Sequence, residues 1–164
     1  MKVEDPAAFR FIINEDIYLL SHDKEHQSKK VVKEAESVPF SFNYEGKNSK
    51  NFLILTYYPN QEAISAPHFA ALQAILLRKG YQPDEVAILN IALNNADVNA
   101  ITGYFNPEKL LILGEKAIPG GMPAPQFNRL QPVAGCNILL SFCFDDMMEN
   151  TDNKRAFWEQ MKSL

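Results

Sequence analysis

Cysteine is scarce in this chain: two among 164 residues, Cys136 and Cys143. Two thiols on or beside one apolar run make no disulfide framework and fall short of a zinc site. Long hydrophobic runs are absent too, none approaching the ~18 apolar residues of a membrane span. The N-terminus lacks the charged start, apolar stretch and cleavage site of a signal peptide, so a cytoplasmic location is expected. Positive charge is not in excess. Sixteen Lys and Arg stand against twenty Asp and Glu, a formal charge of −4, so no bulk attraction to nucleic acid is expected. No Gly-x-Gly-x-x-Gly or Walker sequence follows an apolar run, which leaves no loop to cradle phosphate. Gly120-Gly121 lies between prolines and reads as a turn. Three histidines are present: His22 and His26 in a polar stretch, and His68 at the start of a predicted helix. None stands where a serine or cysteine nucleophile needs its base, and His68 reads as a surface or cap residue. No catalytic residue, metal site or cofactor is expected.

What is there is a globular composition, 46% hydrophobic and 22% charged, in a chain long enough for one domain with a substantial core. Residues 1–20 hold a compact apolar group: Phe9, Phe11, Ile12, Ile13, Ile17, Tyr18, Leu19 and Leu20. This stretch reads either as a piece folded back on the core or as an arm that orders on a partner. Residues 21–50 are polar and charged, with only residues 38–42 offering apolar contact, and read as a tether that favours the arm. The compact domain is expected over residues 51–164.

Within it, four apolar runs read as buried strands: NFLILTYYP (51–59), EVAILNIAL (85–93), LLIL (110–113) and NILLSFCFDD (137–146). Helical periodicity separates them. Ser65 and Pro67 open a helix with Phe69, Leu72, Ile75 and Leu76 on one face, closed by Gly80. Asn94 or Asn95 is positioned to cap a second helix through Val98, Ile101 and Tyr104, which Asn106-Pro107 breaks. Thr151 or Asp152 is positioned to cap a last helix burying Phe157, Trp158, Met161 and Leu164. The loop 115–135 carries four prolines and three glycines, a density that excludes a crossover helix. The predicted fold is α/β, a three-layer α/β/α sandwich around a mainly parallel four-stranded sheet.

In such a sheet the site lies beyond the carboxyl ends of the strands. Here that edge presents Tyr57, Tyr58, Asn90, Asn94, Asn95, Glu115, Lys116, Asp145 and Asp146. The Asp145-Asp146 pair has the look of a catalytic or metal-binding pair, but neighbours on a strand point to opposite faces.

The segments LQAILLRKGYQPDEVAILNIA (72–92), FNPEKLLILGEKA (105–117) and SFCFDDMMENTDNKRAFWEQMKSL (141–164) together resemble the uracil-DNA glycosylase fold. Asn90 matches a pocket asparagine of that superfamily. The departures fall on the chemistry. Cys143-Phe144 stands where the glycosylases place a histidine, and Thr56-Tyr57-Tyr58-Pro59-Asn60 stands where they use a glycine-bearing loop. The resemblance therefore implies a vestigial pocket at Tyr57, Tyr58, Asn90 and Cys143, and no base excision. A framework of this kind behind a short apolar arm is similar to the psi subunit of bacterial DNA polymerase III. That resemblance implies a non-catalytic replisome accessory protein. Its arm, through Phe9, Phe11, Ile12, Ile13, Ile17, Tyr18 and Leu19, would dock on clamp-loader subunits, and its domain would take a further, chi-like subunit. The rival expectation is a divergent glycosylase acting on DNA bases through Asn90 and Asp145/Asp146.

Overall fold

The computed structural model describes residues 41–164. In chain order the elements are β1 (Tyr44–Gly46), β2 (Phe52–Thr56), α1 (Ala66–Arg78), β3 (Ala87–Asn90), α2 (Val98–Phe105), β4 (Lys109–Leu113), β5 (Arg129–Val133), β6 (Cys136–Ser141), α3 (Phe144–Glu149) and α4 (Thr151–Met161). The strands form one mixed sheet in the order β1-β3-β2-β4-β6-β5. Its four central strands run parallel, while β1 and β5 add antiparallel edges. The sheet is thus six-stranded and mixed, not four-stranded and mainly parallel.

The four strands visible in the sequence are the four buried on both faces, which is why they read as unbroken apolar runs. Side chains alternate across the sheet. Phe52, Ile54, Leu111, Leu113 and Leu139 pack with Leu72 and Leu76 of α1 and with Phe144, Met147, Phe157 and Met161 of α3 and α4. Leu53, Leu55, Leu110, Ile112, Ile138 and Leu140 face the opposite cluster, with Ile101 and Phe105 of α2 and with Phe42.

Both added strands lie where the sequence reads as polar or irregular. β1 falls in the stretch expected to be a linker. It is held by Phe42 and Tyr44, whose rings lie 5.2 and 4.9 Å from that of Phe105. Gly46 makes the pairing possible: its φ is +93°, and a Cβ there would stand 2.0 Å from the carbonyl oxygen of Val86. β5 falls in the Pro/Gly-rich loop, where Pro132 is tolerated because it lies on an edge strand.

The helix ends also differ in detail. Ser65 occupies the cap position of α1, but its hydroxyl makes no capping bond. The second helical residue is Pro67, which has no N–H to give, and the Ser65 Oγ is buried without a partner. α2 is capped by Asp97, which accepts from the Ala100 N–H at 2.8 Å, and not by Asn94 or Asn95. α4 is capped by Asn150, accepting from Asp152 N–H at 2.8 Å, rather than by Thr151 or Asp152. β6 stops at Ser141, and Cys143 opens α3, so Asp145 and Asp146 sit in a helix's first turn and not on a strand. Likewise β2 ends at Thr56 and leaves Tyr57 and Tyr58 in a loop.

Candidate functional site

The chain leaves β2 toward β3 on one side and leaves β4 toward β6 on the other. Neighbouring strands whose connections diverge open a crevice beyond their carboxyl ends. A cleft of about 740 Å3 lies there, lined by Tyr57 and Pro59 after β2, Gly114, Glu115 and Lys116 after β4, and Phe142, Cys143, Asp145 and Asp146 after β6. Gly114 is required at this junction. Its φ is +90°, and a Cβ would come within 3.1 Å of the Cys143 Cβ. Tyr57 borders the cleft, 39% exposed, and does not fill it. Phe127 and Phe142, which also line the cleft, form a perpendicular ring pair with centroids 4.8 Å apart.

Three carboxylates and one ammonium line this cleft, so its field opposes a phosphate. The Cys143 thiol donates to Asp146 Oδ2 at 3.0 Å. Burial first, then that hydrogen bond, push its pKa up. A thiol held protonated in this way is a poor nucleophile.

Asn90 does not reach the cleft. It is 5% exposed, and its amide is engaged by main chain on every side. Its Oδ1 accepts from Tyr58 N–H at 2.9 Å and Ala92 N–H at 3.2 Å. Its Nδ2 donates to the carbonyls of Tyr58 and Gln61, both at 2.9 Å. Asn90 thereby pins the loop after β2 to the end of β3. The space beside it is a separate recess of about 160 Å3, closed by Asn43, Tyr44 and Glu45 from β1 and its approach.

Tyr58 turns away from the cleft as well. Its hydroxyl lies 2.9 Å from His68 Nδ1, and His68 Nε2 lies 3.6 Å from Asp145 Oδ1. Burial, then the charge of Asp145, raise the Tyr58 pKa far above its ordinary value. The hydroxyl therefore stays protonated, and it shares a hydrogen bond with Nδ1 while Nε2 faces Asp145. The His68 ring stacks on Phe144 at 5.3 Å. These contacts join the loop after β2, the start of α1 and the start of α3. The sequence reading missed this role for His68. The one signal available was its place as the third residue of a helix that begins at the carboxyl edge of the sheet.

Of the four vestigial-pocket residues, then, Tyr57 and Cys143 share the cleft, Tyr58 contributes to a neighbouring clamp, and Asn90 is structural. Asp145 and Asp146 line the cleft, 73% exposed at the Asp145 side chain. Phe9, Phe11, Ile12, Ile13, Ile17, Tyr18 and Leu19 lie outside the described residues. Among the described residues, no group of His, Cys, Asp and Glu is assembled to hold a metal ion, and no helix is long and apolar enough to cross a membrane.

Comparison with known proteins adds no family. The sequence matches no protein-family model and no curated protein.

Proposed function

We propose that this chain is a non-catalytic accessory protein of the bacterial replisome, similar in role to the psi subunit of DNA polymerase III. Its framework would be a glycosylase-like α/β/α sandwich. Residues 1–20 would dock on clamp-loader subunits in the cytoplasm, and the α/β domain would take a small chi-like subunit without gripping nucleic acid strongly. The observation that carries this reading is the state of Asn90. The residue that matches a glycosylase pocket asparagine has all its hydrogen-bonding capacity engaged by residues 58, 61 and 92, leaving none for a base. The acidic lining of the cleft supports it further, because a DNA backbone brought there would meet like charge.

Arm recognition would work by burying aliphatic and aromatic anchors in a partner groove. Each anchor contributes about 1.5–3 kcal/mol, less the cost of ordering the arm. Replacing Ile17 and Tyr18 together with alanine is expected to abolish copurification of clamp-loader subunits without moving the melting temperature. Unchanged copurification discards the arm.

One feature favours the rival, a divergent glycosylase: the cleft beside Tyr57 is open and is not plugged by the tyrosines. Release of uracil or a damaged base by purified protein, lost on altering Asp145 and Asp146, would establish the enzyme and end the accessory reading.

A further inference from the structure

Another concavity differs from the strand-end cleft in chemical character. α1 turns Ala71, Ala74, Ile75 and Arg78 to one side, at spacings of three and four residues. α4 answers with Lys154, Phe157 and Trp158. The alanines are too short to fill the space between the helices, and an apolar groove of about 290 Å3 remains, floored by Phe144 and Met147. Met148 beside it is 43% exposed. The only charged residues lining the groove are Arg78 and Lys154, both cations. The ion pairs among the described residues use neither of them. Arg78 instead lies over the Trp158 ring, 5.5 Å from its centroid.

We propose that this groove docks a short segment of another protein, one that carries a large apolar or aromatic residue flanked by carboxylates. Three observations select that occupant. The volume, about 290 Å3, falls just below the ~300–1,000 Å3 range of ligand pockets, which suits an anchor side chain and not a domain face. The walls are apolar and include aromatic and methionine surface, which adapts to an inserted ring or aliphatic chain. Two cations with no ion partner among the described residues, at the rim of a groove in a chain whose formal charge is −4, are complementary to acidic flanks. A second copy docking groove to groove is disfavoured by the same charges, since a two-fold contact sets Arg78 and Lys154 against their own kind. The proposal does not rest on the replisome reading.

Trp158 is the chain's single tryptophan, so its fluorescence reports on the groove directly. The test titrates the full chain with the peptide Glu-Glu-Leu-Phe-Glu-Glu. The controls are Lys-Lys-Leu-Phe-Lys-Lys and Glu-Glu-Ser-Ser-Glu-Glu, and anisotropy of fluorescein-labelled copies is measured in parallel. The acidic apolar peptide is expected to bind saturably and more weakly as salt rises, while the two controls bind at least about tenfold less well. Ala74→Glu is expected to remove binding. The double variant R78E/K154E is expected to lose the acidic peptide and to gain the basic one, a reversal that misfolding cannot produce. No saturable signal, equal binding of the serine control, or an unchanged preference in the double variant overturns the proposal. So does sedimentation showing that the Trp158 change tracks dimer formation.

Discussion

The two sides of the carboxyl end of β2 are built on opposite plans. Toward β3, polar groups are turned inward and paired: Asn90 binds main chain on every side, and Thr56 donates to the Leu89 carbonyl at 3.4 Å. Toward β4 and β6 the polar groups stand in an open cleft, where Glu115, Lys116, Asp145 and Asp146 meet solvent. A buried amide with its full set of partners holds a loop in one position, and removing it leaves main-chain groups orphaned. An exposed carboxylate beside water holds very little. The first side therefore maintains the fold, and the second is free to vary or to bind.

The sharpest way to test that division is to remove one polar side chain from each side. Asn90→Ala strips partners from Tyr58 N–H, Ala92 N–H, Tyr58 C=O and Gln61 C=O, in a region where Asn90 itself is 5% exposed. Each orphaned group costs ~1–3 kcal/mol when water cannot reach it, and partial hydration of the loop lowers the sum, so a loss of about 3–4 kcal/mol is expected. Asp145→Ala should cost less than about 0.5 kcal/mol, because its contact with His68 is long and its side chain is 73% exposed. Urea denaturation of the two variants measures both values. Similar losses would erase the distinction between the two sides.

The paired side can also be opened from outside. β1 covers the recess next to Asn90, and Gly46 lets it approach β3. Gly46→Ala combines a left-handed backbone, unfavourable for alanine by about 1–2 kcal/mol, with a Cβ that would collide with the Val86 carbonyl. Neither atom is the end of a flexible side chain, so relief requires the edge strand to peel away. Peeling is local, and it caps the loss at about 2–3 kcal/mol. Hydrogen exchange should show the amides of residues 44–48 losing protection while β2 and β4 keep theirs. Protection lost evenly across the sheet would mean that β1 is integral to the core and not a cover.

How much of this was legible in the sequence follows from the same physics. The central strands were visible because burial on both faces leaves no polar alternation to confuse them with anything else. β1 is three residues long, half-exposed, and written in Tyr, Glu and Gly; its strand character comes from Phe42 and Tyr44 meeting Phe105, a contact about sixty residues away in the chain. β5 carries a proline that a central strand would reject and an edge accepts. Asn90 could be picked out as a polar residue ending an apolar strand. Its role could not, because its partners are main-chain groups that every residue possesses. Tyr58, His68 and Asp145 come from three separate elements, and no local spacing announces their contact.

That contact gives a smaller effect than the Asn90 and Gly46 substitutions, one read in pH. In the folded chain the Tyr58 hydroxyl is held protonated, by burial first and by the charge of Asp145 second, so its pKa lies above that of an unfolded tyrosine. Above pH ~10 the unfolded chain releases this proton while the folded chain keeps it. The unfolded state then binds fewer protons, and stability falls as pH rises. Below that pH the contribution is fully present and flat. Tyr58→Phe removes the hydrogen bond to His68 Nδ1 and should cost about 1 kcal/mol at neutral pH. It should also flatten the part of the alkaline decline that Tyr58 causes, so that variant and parent converge between pH 10 and 11. The check is a pair of denaturation curves from pH 7 to 11, where a constant gap between the two proteins would show that Tyr58 titrates as a free phenol and that its pairing with His68 is not maintained.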